Sequence, residues 1–403
     1  MRILLVHNYY RSAAPSGENT VFEAERELLR SRGHEVAEFT RRSDELLRLG
    51  PLGAVKGALA TPYNPLAVRR LRRAIARYRP EVVHVHNTFP LLSPAIFRAA
   101  RGTGAATVLT LHNYRTVCAA AIPMREGKTC TLCLDRRSVR PALRYGCYRG
   151  SRLATAPLAA SIALHRALGT WERDVDAFIA LTAFQRDELV RAGMPGGKIR
   201  VKPHFYADPP EPLPWAEREA RVVFVGRLGE EKGLRHLVEA WRLWGEQAPR
   251  LELIGEGPER PALEATLREG GLENRVRLRG QLPFAQTQGL VARSRLLVLP
   301  SICFEGFPMV IREAYALGVP VAASRLGSMA ELVEEGRSGT RFEAGDPRSL
   351  LEAVRAAWEA PEKLEAMGRG ARRLFDERYT AEINHAMLME IYQEAVEERK
   401  HRI

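Results

Sequence analysis

The feature that most constrains this chain is an alternation of short apolar runs with longer amphipathic segments, which occurs twice along the sequence. Such an alternation predicts parallel α/β architecture, because each buried strand needs a crossover helix to reach the next. Between the two occurrences lies 207–219, ADPPEPLPWAERE, whose four prolines exclude a helix or an inner strand. The sequence therefore predicts two Rossmann-like domains facing across a cleft, where ligands bind beyond the carboxyl ends of the strands.

The domain boundaries follow from these runs. We expect the first domain at 1–206, a linker at 207–219 and the second domain at 220–378. Strong helix formers fill most of 347–398, and a helix within 379–403 could pack back on the first domain. The predicted strands are Ile3–His7, Glu35–Thr40, Val82–His86, Thr107–Leu111, Phe178–Leu181 and Arg200–Pro203, then Val222–Val225, Leu251–Ile254, Val276–Arg279, Leu296–Leu299, Val319–Ala322 and Gly339–Phe342.

The positive charge of the chain is concentrated in its first half. The formal net charge is +13, but residues 1–205 carry 33 Lys and Arg against 16 Asp and Glu, a net of +17. This asymmetry favours an anionic partner (nucleic acid, an anionic membrane or a phosphorylated substrate), unless it only reflects a base composition that favours arginine. Residues 66–79 place Leu71, Ile75 and Tyr78 on one helical face, which fits either an anionic lipid surface or a solvated helix packed inward.

Membrane-spanning and secretion segments are not predicted. No apolar run approaches the roughly 20 residues that span a bilayer, and the opening MRILLVHNYYR predicts a first strand rather than a signal peptide. We therefore expect a cytoplasmic protein, associated at most peripherally with the inner face of the cell membrane.

The second domain opens with two cations near a strand end. The segment VVFVGRLGEEKG runs from a strand into Gly226 and Arg227, and Lys232 follows one short loop later. Cations at this edge can hold a diphosphate and neutralise the charge that develops on it as a sugar leaves. A lone surface Arg and Lys would more often be merely solvated.

The next predicted strand ends in a glycine-rich turn, LELIGEGPE. Its glycines let the backbone approach a ligand, and Glu256 lies between them. We expect a helix to start at Pro258. On its own this is also an ordinary strand–turn–helix connection.

The segment LPSICFEGFPMVIREAYALGVPVAAS carries two carboxylates around a helix start. Glu305 lies in a Gly/Pro loop after a strand, and Glu313 follows eight residues later on the next helix. One carboxylate could bind a donor sugar and the other a ribose, although each alone also fits a loop carboxylate or a helix salt bridge. Free amides at the start of this helix form a natural phosphate-binding end. The residues there are Phe307, Pro308, Met309 and Val310.

Taken together, these segments resemble glycosyltransferase family 4, a retaining family with the GT-B fold. The second half matches through GRL…EKG, GEGP, EGFPMVIRE with its E-x7-E spacing, GVPVAAS and GSMAELV, in the family's order. The first half matches through RILLVHNYY, PSGEN, GHEV, VVHVHN and TLHNYR, so the resemblance covers essentially the whole chain. It implies a first domain that binds the acceptor and a second that binds a UDP-, GDP- or ADP-linked sugar.

The resemblance also implies roles for single residues. Arg227 and Lys232 would bind the donor diphosphate. Glu305 would hold hydroxyls of the transferred sugar, and Glu313 would hold the nucleotide ribose. The donor-binding set would further include Gly226, Glu256 and the helix start that follows Glu305.

In the first domain, the loop around Gly17 would close over the diphosphate, and His112 would lie by the donor sugar and the acceptor. The sequence departs from the family's pattern in three places. The paired glycines of the first loop are Ser16 and Gly17, the Pro-Asn-Gly that ends the domain is Pro-His-Phe at 203–205, and a later Gly-Gly is Gly-Ser at 327–328. The first departure puts the loop's approach to phosphate in doubt.

Metal is not expected at the catalytic centre. His84 and His86 share a strand face near His112, but no carboxylate accompanies these three histidines at ligand spacing. Asp174 and Asp176 precede an apolar run rather than follow a strand, so they predict a helix end and not a metal-binding Asp-x-Asp. The resemblance implies metal-independent transfer, in which the acceptor attacks the face that the diphosphate leaves and a leaving-group oxygen takes the proton.

Four of the five cysteines lie close together in the sequence, within a predicted insertion at 115–150. Cys118, Cys130, Cys133 and Cys147 could form a tetrahedral structural zinc site, or be redox-active or free thiols. Some family relatives that begin HNYR carry a similar insertion, so the resemblance extends to a Cys-rich subgroup. The insertion follows His112 and could shape the acceptor site.

The expected partners are a nucleotide-sugar donor, a saccharide or lipid-linked acceptor of cell-envelope polysaccharide or glycolipid synthesis, and an anionic membrane surface. Two other functions remain open. A nucleotide-sugar epimerase would share the fold but would not combine EKG with E-x7-E. A basic nucleic-acid-binding protein would account for the charge, but the second half is acidic, and no helix-turn-helix or aromatic stacking motif is present.

Overall fold

The computed structural model describes residues 1–10 and 16–401. The strands are β1 (Arg2–Tyr9), β2 (Glu35–Arg42), β3 (Val82–Asn87), β4 (Ala106–Thr110), β5 (Met124–Arg125), β6 (Lys128–Thr129), β7 (Ala177–Ala180), β8 (Ile199–Val201), β9 (Glu219–Val225), β10 (Arg250–Ile254), β11 (Val276–Gly280), β12 (Ser294–Leu299), β13 (Val321–Ser324) and β14 (Gly339–Phe342). The helices are α1 (Gly17–Ser31), α2 (Asp44–Leu47), α3 (Gly50–Ala60), α4 (Pro65–Tyr78), α5 (Leu132–Asp135), α6 (Arg140–Tyr145), α7 (Arg152–Ala167), α8 (Thr170–Arg173), α9 (Ala183–Arg191), α10 (Leu234–Trp244), α11 (Arg260–Glu269), α12 (Phe284–Ala292), α13 (Met309–Ala316), α14 (Gly327–Leu332), α15 (Pro347–Trp358), α16 (Pro361–Arg378) and α17 (Ala381–Lys400).

These elements form two compact units. Unit 1 comprises Met1–Pro123, Cys130–His204 and Asn384–Ile403, and unit 2 comprises Met124–Thr129 and Phe205–Ile383. Each unit has its own parallel sheet with helices, so the prediction of two Rossmann-like domains is confirmed.

The sheet of unit 1 has the strand order β2-β1-β3-β4-β7-β8, with every neighbouring pair parallel. The order reverses between β1 and β3, and ligands of open α/β sheets bind at such a reversal. The core on one face of this sheet joins α1 to α17, through Phe22 and Leu29 on α1 and Leu388 and Tyr392 on α17. The last helix of the described chain therefore completes the core of the first unit.

The sheet of unit 2 has the order β11-β10-β9-β12-β13-β14, also parallel throughout. This is the strand order of the Rossmann fold, and its reversal lies between β9 and β12. Both strands are buried, as expected for a sheet covered by helices on both faces. The loops that follow β9 and β12 carry the cations and the carboxylate singled out in the sequence.

All twelve strands predicted from apolar runs are present, and the differences lie at their ends. The strand expected at Val319–Ala322 begins instead at Val321, because Pro320 has no amide to donate to a neighbouring strand. The helix expected at Pro258 begins at Arg260, with Glu259 at its N-cap.

The predicted Cys-rich insertion contains the hairpin β5–β6 and the short helices α5 and α6. In the described residues no helix is both long enough and apolar enough to cross a membrane.

Candidate functional site

The centre of the candidate site in unit 2 is an ion pair between Lys232 and Glu305. Lys232 Nζ lies 2.6 Å from Glu305 Oε1, and Ser301 Oγ donates to the same oxygen at 2.7 Å. Burial alone would lower the pKa of Lys232, but the Glu305 carboxylate outweighs it and the pKa is raised. The ammonium is therefore a permanent cation at neutral pH, at the strand reversal where ligands of this fold bind.

The backbone brings these two side chains together. Gly233 has φ +65°, and a Cβ there would lie 2.1 Å from the carbonyl oxygen of Pro300. The amide of Ile302 also donates to the carbonyl of Glu231 at 2.9 Å. Only glycine fits this approach, so Gly233 allows the loop after β9 to pack against the loop after β12.

Arg227 lies at the end of β9, as the sequence predicted, but it faces solvent. Its side chain is 60% exposed, and Nη2 bonds Glu231 Oε1 at 2.7 Å. An exposed guanidinium with one carboxylate partner retains donors for an incoming anion. The geometry therefore assigns Lys232 to a fixed position and leaves Arg227 the freer of the two cations.

The glycines of the GEGP turn allow it to pack closely against the backbone of the loop after β9. A Cβ on Gly255 would lie 1.9 Å from the carbonyl oxygen of Gly226, and one on Gly257 would lie 2.3 Å from that of Leu228. The amide of Leu228 donates to the carbonyl of Glu256, and the amide of Glu259 donates to the carbonyl of Leu228, both at 2.9 Å, which fixes the same contact. The prediction that these glycines admit a ligand needs revision, because the atoms that approach them are backbone. The Glu256 side chain pairs with Arg260.

The helix α13 begins beside the Glu305 loop. Its N-cap is Pro308 and its first residues are Met309 and Val310, whose amides have no acceptor further back in the helix. Phe307 precedes them and is buried. This helix start offers amide donors to an anion, as the sequence predicted.

Glu313 lies inside unit 2. It is 8% exposed and accepts a hydrogen bond from Gln288 Nε2 at 3.2 Å. Burial raises the pKa of Glu313, although Arg312 and the bond from Gln288 act in the opposite direction. The sequence identified this carboxylate but missed Gln288, which lies 25 residues earlier on α12.

In unit 1, His112 follows β4 and contacts two other histidines. His112 Nε2 lies 3.1 Å from His86 Nδ1, and the ring of His204 stacks on it with centroids 5.2 Å apart. Burial lowers the pKa of His112 well below its usual value, and His204, His86 and His7 lower it further. The ring is therefore neutral at pH 7 and acts through hydrogen bonds, not through charge.

The histidines adjoin a buried carboxylate that the sequence analysis missed. Glu25 Oε1 lies 3.0 Å from His84 Nδ1 and 3.1 Å from His86 Nε2, and Glu25 Oε2 lies 3.2 Å from Lys202 Nζ. The expectation that no carboxylate accompanies the histidines was wrong, because Glu25 comes from α1, some sixty residues away in sequence. A signal was available: Glu25 interrupts the apolar stripe of Val21, Phe22, Leu28 and Leu29 on α1, all of which are buried.

This group is the one cluster in residues 1–10 and 16–401 with three ligand atoms close enough for a metal ion. Two observations favour an ionic network instead. The Lys202 ammonium occupies one side of the carboxylate, and both nitrogens of His84 contact hydroxyls, Tyr392 at 2.7 Å and Thr110 at 2.8 Å. Burial would raise the pKa of Glu25, but Lys202, His84 and His86 hold it well below its usual value.

A pocket in unit 1 adjoins His86 and His112. Its empty volume, including space open to solvent, is about 690 Å³. Asn113, Arg115 and Thr116 supply polar groups at its edge. Most of the wall area is apolar, and the large apolar residues that line it are Phe89, Phe97, Leu109, Leu111, Leu158, Ile162 and Trp171.

Gly17 is the first residue of α1, and residues 11–15 of its predicted phosphate loop lie outside the described residues. Glu18 accepts a hydrogen bond from Asn113 Nδ2 at 2.6 Å. Burial raises the pKa of Glu18, although this hydrogen bond acts in the opposite direction. This contact ties the start of α1 to the segment that carries His112.

The predicted zinc site of the four clustered cysteines is not confirmed. Among the described residues, no three of their sulfur atoms lie within 4.8 Å of one another, whereas the sulfurs of a tetrahedral zinc site bound at about 2.3 Å must do so. Cys118 and Cys133 are buried, Cys130 and Cys147 are partly exposed, and none of the four forms a disulfide. Burial raises the pKa of Cys118 to about 12, so this thiol is not a nucleophile at neutral pH.

Helix α4 packs its apolar face inward, which is the second of the two interpretations predicted for residues 66–79. Leu71 and Ile75 are buried within unit 1, whereas Arg69, Arg70 and Arg73 are exposed. Its apolar face is therefore occupied and cannot insert into a lipid layer.

Comparisons with known proteins agree with this architecture. Residues 16–204 match the sequence model of the family described as Glycosyl transferase 4-like domain, and residues 219–360 match that described as Glycosyl transferases group 1. HepE of Anabaena, solved in complex with UDP, superposes with a TM-score of 0.67 at 19% identity, covering 98% of this chain and 100% of HepE. The chain has the two domains of the GT-B fold.

Curated relatives align with parts of this GT-B chain. The putative colanic acid biosynthesis glycosyltransferase WcaL of Escherichia coli is 28% identical over 191 residues, which is 45% of this chain and 47% of WcaL. The amylovoran biosynthesis glycosyltransferase AmsK of Erwinia amylovora is 27% identical over 228 residues, 54% of this chain and 56% of AmsK. The chain thus spans about half the length of the curated relatives it matches.

Proposed function

We propose that this protein is a retaining, metal-independent glycosyltransferase that moves a hexose from a nucleotide-diphosphate sugar to an acceptor hydroxyl. The observation that carries the proposal is the Lys232–Glu305 pair, held at the strand reversal of the unit 2 sheet beside the start of α13. This places a fixed cation, an anion and helix amides next to one another. The cation and the helix amides can bind a diphosphate, and the anion can accept hydrogen bonds from sugar hydroxyls.

The roles follow from these contacts and from the family resemblance. Lys232 and the more exposed Arg227 bind the diphosphate, and the first amides of α13 add hydrogen bonds to it. Glu305 accepts hydrogen bonds from hydroxyls of the transferred sugar, while its ion pair with Lys232 holds it in position. Glu313 binds the ribose, for which it exchanges its bond from Gln288.

The transfer itself needs no protein nucleophile. As the bond between the anomeric carbon and the diphosphate oxygen breaks, its electron pair stays with the diphosphate, whose growing charge Lys232 and Arg227 neutralise. The acceptor oxygen bonds the anomeric carbon on the face that the diphosphate leaves, and its proton passes to a diphosphate oxygen. The configuration is thereby retained, and with cations holding the leaving group no metal ion is required.

The neutral His112 ring is suited to orient a hydroxyl. We propose that the ring hydrogen of His86 lies on Nε2, 3.1 Å from Glu25 Oε1, so that His86 Nδ1 accepts a hydrogen bond from His112 Nε2. His112 Nδ1 is then an acceptor nitrogen for a hydroxyl of the sugar or the acceptor. Glu25 would set this tautomer through His86.

For the acceptor we propose a saccharide or lipid-linked saccharide of cell-envelope polysaccharide synthesis, used at the inner face of the membrane. Two observations support this choice. The relatives WcaL and AmsK carry names of polysaccharide biosynthesis, and the pocket beside His112 has a largely apolar wall that suits a non-sugar portion of an acceptor.

The test is turnover by the purified protein of a panel of UDP-, GDP- and ADP-sugars in the presence of EDTA. We expect one donor to be hydrolysed or transferred, with activity lost in Glu305→Ala and Arg227→Ala, and NMR of the product to show the anomeric configuration of the donor. Loss of activity with EDTA, restored by a divalent ion, contradicts metal independence. Conversion of the donor to its epimer without release of free nucleotide establishes the epimerase instead.

A further inference from the structure

Helix α3 has an inverted arrangement of large and small residues. Leu52, Val55 and Leu59 are 73%, 57% and 74% exposed, and their spacing of three and four residues places them on one side of the helix. We call these three residues the α3 face. The buried positions of the same helix are Gly53 and Gly57. An ordinary surface helix of a globular protein would have the opposite pattern.

The fold itself holds the α3 face outward. A Cβ on Gly53 would lie 1.9 Å from the carbonyl oxygen of Leu46, and one on Gly57 would lie 2.9 Å from Leu46 Cδ1. The side of α3 that rests on α2 therefore has room for glycine and none for leucine. Rotation of the helix to bury the α3 face is excluded by this close contact.

The exposed apolar surface extends beyond α3. Twelve large apolar residues are exposed in the described chain, and half of them lie between positions 47 and 66. Besides the α3 face these are Leu47, Leu49 and Leu66. Such a concentration marks an interaction surface, because isolated exposed leucines are scattered over a globular protein, not gathered in twenty residues.

The charge around this surface identifies what it binds. Residues 46–80 contain eight Lys and Arg and no Asp or Glu. Lys56 lies within α3, and Arg69, Arg70 and Arg73 of α4 are exposed. A second copy of this chain is disfavoured, because two such surfaces would bring sixteen cations together. Nucleic acid would use the cations but not the leucines.

We propose that the α3 face docks on an anionic phospholipid bilayer, with Leu52, Val55 and Leu59 entering the headgroup–acyl boundary and the arginines of α4 contacting lipid phosphates. This differs from the prediction for residues 66–79, since α4 supplies charge only and α3 supplies the insertion. Thr61, the C-cap of α3, also lines the pocket beside His112, so docking brings this wall of the pocket near the lipid. The proposal does not depend on sugar transfer.

The test is co-sedimentation of the full chain with vesicles of phosphatidylcholine containing about one third phosphatidylglycerol, compared with phosphatidylcholine alone. We expect binding to the anionic vesicles only, and binding about tenfold or more weaker for Leu52→Ser/Leu59→Ser, because two partly inserted leucines are lost. The matched control is Leu243→Ser/Phe284→Ser, which removes two exposed apolar residues from unit 2 and should bind as the parent does.

A second variant tests the charge. Arg69→Gln/Arg70→Gln/Arg73→Gln should weaken binding to anionic vesicles by about fivefold per arginine near the surface, and added salt should remove the difference. Equal sedimentation of the parent and the Leu52→Ser/Leu59→Ser variant would overturn the proposal. So would a parent dimer in light scattering that this variant converts to a monomer, since the α3 face would then be covered by a second copy.

Discussion

At the scale of single residues, the site in unit 2 depends on how completely Lys232 is enclosed. Its partner Glu305 and the bond from Ser301 form a preorganised polar group, which costs no rearrangement when charge develops on a leaving diphosphate. Arg235, only three residues further along, makes the same kind of pair with Glu259 but is 68% exposed. The two pairs differ in burial and location, and therefore in what their loss should do.

We expect Lys232→Met to lower turnover of the preferred donor by at least about 100-fold, the effect of removing one preorganised charge contact from a transition state. Arg235→Met should change turnover less than about twofold and the free energy of unfolding by less than about 1 kcal/mol. Steady-state kinetics on the two variants measures this. Unchanged turnover in Lys232→Met would remove this lysine from the proposed site.

The buried histidines make stability depend on pH. Burial lowers the pKa of His84 to about 4 and that of His7 to about 3, whereas both are near 6.5 in an unfolded chain. Below about pH 6.5 the unfolded state takes up protons that the folded state excludes, so stability is complete above that pH and falls as the pH decreases. The Glu25 carboxylate, with its lowered pKa, is lost as a stabilising group only in stronger acid.

The free energy of unfolding should therefore fall by about 2 kcal/mol per buried histidine between pH 7 and pH 5. Urea unfolding at several pH values measures this slope. The slope reports how many protons the chain takes up on unfolding. His84→Gln should lower that number by about one, while His401→Gln, at an exposed position, should leave it unchanged. A slope that is the same in both variants would mean that His84 takes up a proton in the folded protein.

At the scale of elements, the loops after β9 and β12 pack against each other through a close backbone contact at Gly233. Gly233 and Gly245 both have positive φ, but Gly245 has open space where a Cβ would lie, and Gly233 has the carbonyl of Pro300 at 2.1 Å. The same substitution at the two positions separates backbone strain from steric displacement of the loop.

Gly245→Ala should cost roughly 1–3 kcal/mol of stability, because φ 71° with ψ −143° is a backbone conformation that is essentially restricted to glycine. Gly233→Ala should cost more and should also lower turnover by about tenfold or more, because moving the loop separates Lys232 from Glu305, and small misplacements of positioning groups are costly. Urea unfolding and transfer rates on both variants test this. Equal turnover in the two would show that the contact with Pro300 does not position Lys232.

The elements could be predicted from the sequence far better than their contacts. Apolar runs gave all twelve strands, because a parallel sheet buried on both faces requires them. Lys232 and Glu305 were identified separately, but nothing in the sequence fixes a contact across 73 residues. Glu25 was missed because its partners lie on other elements. The α3 leucines point outward because Gly53 and Gly57 pack against Leu46, a contact that cannot be predicted from the spacing of apolar residues.

At the scale of the whole molecule, the chain returns to its first unit after completing the second. Leu388, Ile391, Tyr392 and Ala395 of α17 belong to the same core as β1 and β3. Tyr392 also bonds His84, so α17 contributes to the buried network as well as to the apolar core. Unit 1 is therefore incomplete without α17, whereas the sheet of unit 2 has its own buried strands.

We expect Leu388→Ala to lower the free energy of unfolding of unit 1 by about 2–5 kcal/mol, since it opens a cavity in a closed core. Hydrogen exchange should become faster at the amides of β1 and β3 and stay unchanged at β9 and β12. Gln393→Ala, on the exposed side of α17, serves as the control. Equal acceleration in both sheets would show that the two units unfold as one.

The position of α17 also affects the order in which the two units can fold during synthesis. When a ribosome has produced His204, every strand of the first sheet has been made, but the helix that covers one of its faces lies 180 residues ahead. At the usual 5–20 residues per second, that interval lasts roughly 10–35 s. During this time the nascent first unit exposes the apolar floor that Leu388 and Tyr392 later cover, so it is a natural client for chaperones, and the second unit can reach its final structure before the first.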